Sequence, residues 1–424
     1  MARSPRDTSA RRQGDVARWA VPETEREVFG RRYIRLLENQ LASLRASPVH
    51  GNREVFLDHL VIAHLLAFFN PGVRGLRSVE DVFDIPGVRQ RYGVRRLPKS
   101  TVADAQRVFD PQLLRPLLDS LIKRARLVPH DPRLDDVTRR LLAVDGSFFT
   151  VAPRIAWALY NKSCKAGRNL NKGHVRAHIQ FDILHGIPVE ADLTDGQAAE
   201  WRQLRQRLQP DRFYVMDRGF QAYELLADIV GVGSDFLVRL RKSANAHVVE
   251  QYPLTVADQA NGITGDALVQ IGWREDQTPT LPNLRRVEVA YTDRDGKAGV
   301  LLLLTSRIEL PAWMIALIYQ HRWQVELFFR WLKCVAHFDH FFSESRDGMT
   351  LQLYVTLIAL LLIAVETGAK PSKYDFALLS FAINSGEPIE DVLAVAAKRR
   401  AERARAAAWQ RQYNAKKAAQ KAGH

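Results

Sequence analysis

The sequence predicts an α/β fold: a mixed β-sheet core with a β-rich insertion, flanked by helical regions at both ends. Strand-like apolar runs alternate with helical patterns across residues 136–240, as in an α/β core. Residues 241–307 contain an alternating run and a continuous apolar run, which are both typical of strands. Apolar residues recur mainly at helical spacing before residue 135 and after residue 308.

Residues 1–135 are expected to form a helical region after a disordered basic start. The first 20 residues are rich in Arg, Ser and Asp, a composition typical of disorder. Helical patterns follow near Glu23–Leu44, Asn52–Phe69, Ser78–Phe83 and Ser100–Val108. The basic residues between the later helices are Arg74, Arg77, Arg89, Arg91, Arg95, Arg96 and Lys99. Two interpretations stay open, a helical DNA-binding module and a small helical domain with a solvated basic rim.

The first part of the core, residues 136–240, contains strands and helices in an informative order. Strands are predicted near Leu141–Thr150, Val175–Ile183, Pro188–Leu193, Phe213–Met216 and Phe236–Leu240, and helices near Ala198–Leu208 and Ala222–Ile229. Three strands, a helix, a strand, a helix and a strand follow one another, which is the order of a ribonuclease-H-like fold. That fold would bring the ends of the first and fourth strands together.

Two aspartates occupy matching contexts in this core. Asp145 follows the apolar run Leu141–Val144, and Asp217 follows Phe213–Met216. A glycine comes one or two residues later in each case, so each strand delivers a carboxylate at or near its end and then turns. The predicted fold would make the two aspartates neighbours.

The stretch Tyr319–Lys333 predicts one amphipathic helix within residues 308–345. It contains no Gly or Pro. At roughly 100° per residue, four polar side chains fall within an arc of about 60°, namely Tyr319, Arg322, Glu326 and Lys333. The apolar residues on a different side are Val325, Phe328, Phe329 and Leu332. Charges at this spacing often form solvated ion pairs within a helix, whereas a single Glu among basic residues also fits a functional stripe.

Two strand-borne aspartates and a helix-borne glutamate have the chemistry of a divalent-cation site. Mg²⁺ takes oxygen ligands at about 2.0–2.1 Å, and a cation offsets the repulsion between crowded carboxylates. Two such ions about 3.5–4 Å apart can activate a nucleophile and stabilise the leaving oxygen of a phosphodiester. Asp145, Asp217 and Glu326 are therefore the candidate metal ligands.

These residues resemble the catalytic signature of the DDE transposases encoded by one large class of bacterial insertion sequences. The Y-(2)-R-(3)-E-(6)-K pattern of that class is reproduced by Tyr319, Arg322, Glu326 and Lys333. Asp145 in Asp-Gly-Ser and Asp217 in Asp-Arg-Gly-Phe match the contexts of the family's first and second catalytic acids. The resemblance covers about the last two thirds of the chain, in order.

The resemblance implies a transposase that cuts DNA at transposon ends and transfers the strands into target DNA. It implies that Asp145, Asp217 and Glu326 are catalytic and bind two Mg²⁺ ions, for which Mn²⁺ can substitute. The expected DNA contacts are Tyr319, Arg322, Lys333 and Arg330. Expected partners are double-stranded DNA, as terminal repeats and as target, and a second copy of the chain in a homodimeric DNA complex. The expected location is the bacterial cytoplasm, in association with the nucleoid.

Two other functions stay open. A metal-dependent DNA nuclease of the same fold would use the same carboxylates without strand transfer, and a non-catalytic DNA-binding regulator would keep the fold alone. The intact acids argue against the regulator. Trp323 is expected to pack in the core. His337, Asp339 and His340 are expected at a helix terminus rather than in a zinc site, because no further Cys or His stands at ligand spacing.

Composition favours a polyanionic partner and an intracellular protein. The chain has 61 basic and 47 acidic residues, a net charge of +14, which favours nucleic acid. Two cysteines, Cys164 and Cys334, argue against a disulfide scaffold and suit a reducing cytoplasm. No apolar stretch follows the N-terminus, so no secretory signal is expected. Leu351–Val365 is shorter than the about 20 residues that span a bilayer, so we expect a buried core helix and no membrane.

The insertion and the C-terminal regions have several candidate roles. Asp295-Gly296 predicts a hairpin in the insertion, which either holds DNA that flanks the active site or is a structural elaboration. Residues 346–397 are expected to be helical, and residues 398–424 form a basic tail in which Glu402 is the one acidic residue. The tail's candidate roles are contact with the DNA backbone, a solvated or disordered helical extension, and dimer contacts.

Overall fold

The computed structural model describes Val55 and residues 57–422, apart from short gaps. The gaps are residues 71, 93–95, 126–130, 136, 138–139, 153, 161–171, 272–280, 294, 335–337, 339 and 386–388. The helix predicted near Glu23–Leu44 lies outside the described residues. The chain divides into two compact units: the sheet unit is Pro129–Arg346, and the helical unit combines Met1–Val128 with Asp347–His424.

The described N-terminal part of the helical unit is a series of short helices. They are α1 (Leu57–Phe69), α2 (Leu76–Asp84), α3 (Pro86–Tyr92), α4 (Lys99–Val108) and α5 (Arg115–Ala125). α2 and α4 are amphipathic, since Val79 and Phe83 of α2 and Val102 and Ala105 of α4 are buried at spacings of three or four residues. The exposed basic side chains in and between these helices include Arg74, Arg77, Arg96 and Lys99.

The sheet unit is built on one mixed sheet, which has ten strands in the part of the chain that the structure describes. Its first elements are β1 (Arg140–Val151), β2 (Leu159–Tyr160), β3 (Lys172–Asp182), β4 (Ile187–Asp195), α6 (Glu200–Arg205), β5 (Arg212–Met216), α7 (Tyr223–Gly231) and β6 (Asp235–Arg239). β3 pairs antiparallel with β1 and β4, whereas β5 lies between β1 and β6 and is parallel to both. The predicted mixed α/β fold is confirmed.

Continuous apolar runs explain the two parallel strands beside β1. Phe213–Met216 and Phe236–Val238 are fully buried, as expected for parallel strands that are covered on both faces. β1 shares this character at its start, where Leu141–Val144 is buried. These three strands are therefore the centre of the sheet unit's core.

Residues 241–307 contain strands that extend the same sheet. The elements are β7 (Ala246–Gln251), α8 (Val256–Ala260), β8 (Ile263–Ile271), β9 (Leu284–Thr292) and β10 (Ala298–Thr305). These strands pair antiparallel in succession, and β10 pairs antiparallel with β6, with Leu304 opposite Val238. The hairpin predicted at Asp295-Gly296 is confirmed, since Gly296 has a φ of +79° between β9 and β10, a left-handed conformation that suits glycine. The sheet order is β2-β3-β1-β5-β6-β10-β9-β8-β7, with β4 also paired to β3.

The stretch predicted as a single helix, Tyr319–Lys333, is instead two helices, α9 (Ala312–His321) and α10 (Trp323–Cys334). They meet at Arg322, whose N–H donates to the Tyr319 carbonyl at 3.1 Å, while Val325 N–H donates to the Arg322 carbonyl at 3.1 Å. Such three-residue turns tighten a helix locally. No Gly or Pro marks the interruption, so the helical spacing of the apolar residues did not reveal it.

The C-terminal part of the helical unit is also helical. It contains α11 (Arg346–Thr367), α12 (Lys373–Ser385) and α13 (Ile389–Ala422). By length and composition α11 could cross a membrane, but 94% of its most apolar 18-residue window is buried inside the protein. This burial is what the prediction of a core helix at Leu351–Val365 requires. α13 carries the basic tail, with Trp409 and Tyr413 exposed and their ring centroids 5.4 Å apart.

Candidate active site

Asp145 and Asp217 lie on neighbouring parallel strands at the point where β5 ends. Val144 of β1 is opposite Met216 of β5, so the next residue along each chain segment is an aspartate. β1 continues to Val151 because its pairing with β3 continues, and Asp145 is therefore in mid-strand rather than at a strand end. The register brings the two predicted acids together, as the sequence predicted.

The charged form of Asp145 is unfavourable in its surroundings. Burial raises the pKa of Asp145 to about 7; hydrogen bonding and Arg322 oppose the rise, and the carboxylates of Glu200 and Asp217 add to it. The hydrogen bond is 2.8 Å long, from Gly146 N–H to Asp145 Oδ1. Desolvation and neighbouring like charges both disfavour an ionised carboxylate. A bound cation would relieve both effects.

Arg322 links the third predicted acid to the first. Its Nη2 donates to Glu326 Oε1 at 2.5 Å, and its Nη1 lies 3.9 Å from Asp145 Oδ2. Glu326 is in the first turn of α10, four residues after Arg322, a spacing that places two side chains on the same helix face. The Arg322 side chain is only 11% exposed, so water screens these interactions less than it screens a surface pair. Asp145 and Glu326 are thus connected through one guanidinium.

Tyr319 lies on α9 against the same guanidinium. Arg322 Cζ is 5.5 Å from the centroid of the Tyr319 ring, within cation–π range. Burial raises the pKa of Tyr319. The charges of Arg322 and Arg239 oppose this rise, whereas that of Asp217 adds to it. The tyrosine therefore keeps its proton and can donate a hydrogen bond, within electrostatic reach of the second aspartate.

Lys333 lies beside the strand that carries Asp145. Its Nζ donates a 2.7 Å hydrogen bond to Ser147 Oγ and lies 5.0 Å from the centroid of the Phe149 ring. Burial lowers the pKa of Lys333. Arg330 is exposed and precedes Lys333 by three residues, so both side chains fall on one stripe of α10. The helix thus presents two basic side chains on one side.

The buried stripe of α10 is confirmed, but Trp323 is not part of it. Val325, Phe328, Phe329 and Leu332 are buried. Trp323 is 46% exposed, so the prediction that it packs in the core is wrong. At about 100° per residue, Trp323 falls on the side of the helix opposite the buried stripe.

A fourth carboxylate, Glu200, was not singled out from the sequence. Glu200 begins α6, and its side chain is 24% exposed. A Cβ placed on Gly146 would collide with its Oε1, and a Cβ placed on Gly219 would lie 3.8 Å from its Oε2. Burial raises the pKa of Glu200. The charge of Arg176 opposes this rise, whereas that of Asp217 adds to it. An acidic residue at the start of a helix ordinarily interacts with the helix dipole, so the sequence carries no distinctive signal for it.

The donor set fits a hard divalent cation. Within the described ranges, no three His, Cys, Asp or Glu side chains form a ready-made metal cage. Carboxylate oxygens are nevertheless the ligands that Mg²⁺ prefers, and Asp145 and Glu326 already share a cationic partner in Arg322. Arg322 therefore partly neutralises two of the three predicted ligands. Of the three residues His337, Asp339 and His340, the first two lie outside the described residues.

Comparisons with known proteins find similarity over the part of the chain that contains these acids. The sequence model of the family described as transposase DDE domain matches residues 137–362 of this chain, a range that includes Asp145, Asp217 and Glu326. The chain is 27% identical to y4zB of Sinorhizobium fredii, which is named as a transposase, over 241 residues that cover 55% of this chain and 64% of that protein. It is 23% identical to a Geobacillus stearothermophilus protein named as a transposase for insertion sequence element IS5377, over 273 residues that cover 64% of this chain and 68% of that protein. The match thus spans less than two thirds of the Sinorhizobium protein.

Proposed function

We propose, because this chain belongs to the family defined by the transposase DDE domain, that it cleaves DNA at transposon ends and transfers the strands into target DNA. The observation that carries the proposal is the convergence of the acids. The β1–β5 register brings Asp145 and Asp217 together, and Arg322 ties Glu326 to Asp145. We propose two Mg²⁺ ions as the cofactor, with Mn²⁺ as a substitute, held by these three carboxylates.

The order of elements supports a ribonuclease-H-like core. β3 and β4 are antiparallel neighbours on one side of β1, and the parallel strands β5 and β6 lie on the other side. α6 lies between β4 and β5 in the chain, and α7 lies between β5 and β6. The strands β7–β10 precede the third acid and widen the sheet, which gives the insertion a surface for DNA that flanks the site.

The contacts of the helix-borne residues support the Y-(2)-R-(3)-E-(6)-K class. Arg322 pairs with Glu326 and lies over Tyr319. Lys333 donates to Ser147, two residues after the first aspartate. All four residues of the pattern therefore act on one region, even though Tyr319 stands on α9 and the last two stand on α10.

The chemistry asks more for positioning and charge than for a protein nucleophile. Bound Mg²⁺ supplies Lewis-acid chemistry, because it lowers the pKa of water and offsets charge on a phosphodiester. A guanidinium can bind a phosphate bidentately, and Arg322 would do so by exchanging its contacts with Glu326 and Asp145 for the phosphate oxygens. Lys333 supplies a point charge, and the protonated Tyr319 hydroxyl donates a hydrogen bond to a phosphate oxygen.

The charge of the chain supports double-stranded DNA as the partner. The excess of 61 basic over 47 acidic residues favours a polyanion, and the side chains of Arg74, Arg77, Arg96 and Lys99 are exposed in the helical unit. We propose that the DNA complex holds two copies of the chain, one for each transposon end.

The experiment is a cleavage and strand-transfer assay on DNA that carries the element's terminal repeats, with Mg²⁺. It compares the wild type with Glu326→Gln and with Glu224→Gln, a control that removes one acid that is 69% exposed. We expect the wild type and the control to cleave and join, while Glu326→Gln binds DNA but loses both reactions by about 10²-fold or more. Wild-type cleavage without joining would indicate a nuclease, and full activity of Glu326→Gln would contradict the site.

A further inference from the structure

We propose that the basic end of α13 binds the phosphate backbone of double-stranded DNA along one outward stripe of the helix. The outward stripe consists of five exposed side chains, Lys398, Arg405, Trp409, Tyr413 and Lys416. The inference rests on the proposed function, because it assigns a surface to the DNA partner proposed there. It favours DNA contact over the two other candidate roles of the tail, a solvated extension and dimer contacts.

The first turns of α13 pack against the helical unit through one side of the helix. Arg400 Nη1 donates to Asp375 Oδ1 at 2.9 Å, and the aspartate side chain is only 1% exposed. Arg403 Cζ lies 5.0 Å from the centroid of the Tyr374 ring. At about 100° per residue, the packed side is an arc of α13 that contains Val392, Ala396, Arg400 and Arg403, of which the first two are buried.

The outward stripe lies on the other side of α13. Its five members are centred roughly 140° from the packed side at about 100° per residue. From Lys398 to Lys416 the stripe extends about 27 Å along the helix axis, at 1.5 Å per residue. None of residues 401–414 is buried. A long ligand can therefore contact the stripe without displacing a packed side chain.

Charge complementarity indicates that the ligand is a polyanion. Residues 398–421 contain nine basic residues and one acidic residue, so they contribute +8 of the chain's net charge of +14. The acidic residue, Glu402, already pairs with Arg399 at 3.3 Å. Among the residues that the structure describes, Arg405 and Lys416 have no acidic partner. Phosphate oxygens accept hydrogen bonds from Arg, Lys and Tyr, and the indole N–H is a further donor, so all five side chains of the outward stripe can donate to phosphates.

A second copy of α13 fits the outward stripe less well than DNA does. Helices that pair as coiled coils repeat apolar residues at two positions in every seven, whereas Trp409 and Tyr413 are the two large apolar residues in residues 398–421. Two copies side by side would also bring like charges together, which repel. A DNA duplex has the opposite charge, and its helical turn of about 34 Å is comparable with the length of the stripe.

The test measures binding of the full chain to duplex DNA by fluorescence anisotropy, in a metal chelator and at several salt concentrations. The Gln variant combines Lys398→Gln, Arg405→Gln and Lys416→Gln. We expect it to reduce the slope of log affinity against log salt by about 2–3, since each lost phosphate contact removes about 0.9. Affinity at about 0.1 M salt should fall about 10²-fold. The loss should be equal for a terminal-repeat duplex and an unrelated duplex, because phosphates carry no sequence information.

Three further variants of α13 separate charge from helix structure. A charge-swap variant, which combines Lys398→Arg, Arg405→Lys and Lys416→Arg, should retain the wild-type slope. The neutral control combines Gln410→Ala with Asn414→Ala, two exposed residues outside the outward stripe, and should change neither slope nor affinity. Trp409→Ala should weaken binding about 2- to 10-fold at an unchanged slope, because an indole releases no counterion.

An unchanged slope in the Gln variant would overturn the inference. Equal losses in the Gln and charge-swap variants would overturn it too, because distortion of the helix, rather than lost charge, would then explain them. A slope that changes on single-stranded DNA alone, or a lost dimer in sedimentation at an unchanged slope, would assign the stripe to a different partner and overturn it as well. A wild type that binds duplex DNA with the expected slope but neither cleaves nor joins it would instead overturn the proposed function and leave this surface intact.

Discussion

Asp145→Asn should make the metal-free protein more stable at neutral and alkaline pH. The Asp145 carboxyl has a pKa of about 7 against an ordinary 3.8, so the folded protein retains a proton that the unfolded chain releases as pH rises above about 4. Wild-type stability therefore falls between about pH 4 and pH 7 and is constant above that window. The full penalty at pH 8 corresponds to roughly 4 kcal/mol. Asn has no charge to desolvate and keeps an oxygen for the Gly146 N–H.

The assay is thermal unfolding of both proteins between pH 4 and pH 8 in a metal chelator, with Glu224→Gln as the control. Allowing for relaxation around the charge, we expect a gain of about 2 kcal/mol at pH 8, equivalent to about 4–8 °C in Tm for a unit of this size. The gain should shrink towards zero near pH 4. Added Mg²⁺ should then raise the Tm of the wild type but not that of Asp145→Asn, because a ligand stabilises the state that binds it.

A gain that does not change with pH would refute the reasoning, because desolvation of the Asp145 carboxylate acts only when that group is ionised. A less stable Asp145→Asn at pH 8 would refute it as well. Glu224→Gln should not reproduce the gain at pH 8, because the Glu224 side chain is 69% exposed and its charge is not desolvated.

Two further substitutions test the site and the sheet. Lys333→Ala should lower kcat/KM for DNA cleavage by about 10²-fold at unchanged Tm, because its Nζ supplies charge at Ser147, two residues after Asp145. The exposed Arg330→Ala should lose about 10-fold, and equal losses would contradict a special role for Lys333. Gly173→Ala should destabilise the protein by about 2 kcal/mol or more in urea denaturation, since its Cβ would lie 2.7 Å from the Val151 carbonyl oxygen. Gly231→Ala is the matched control, because nothing lies within 4 Å of a Cβ at that position. An equal urea midpoint of unfolding for the two variants would contradict the steric explanation.

The central strands and their aspartates could be predicted because local sequence determines them. A parallel strand buried on both faces is a continuous apolar run, and Phe213–Met216 has this form. Asp217 interrupts that run with a charge and a following turn. Leu141–Val144 ends in the same way at Asp145, so local sequence was enough to identify both aspartates.

Features that depend on long-range packing could not be predicted. The pairing of β10 with β6 joins segments more than 60 residues apart. The apolar sequence of each strand does not indicate which other strand it pairs with. Glu200 lies on the short helix α6, and only tertiary structure places its carboxylate beside Gly146. No Gly or Pro marks the interruption at Arg322. The helical spacing of the apolar residues therefore continues across it, although the backbone forms two separate helices.

The most direct test of the central claim is a change of metal preference at Asp217. Asp217→Cys replaces hard carboxylate oxygens with a soft thiolate, which favours Mn²⁺ over Mg²⁺. We predict that Asp217→Cys neither cleaves nor joins DNA in Mg²⁺ and recovers part of both reactions in Mn²⁺, while Asp217→Ala recovers neither. Equal activity of the two variants in Mn²⁺, or wild-type activity of either in Mg²⁺, would contradict the role of Asp217 as a ligand of the catalytic metal.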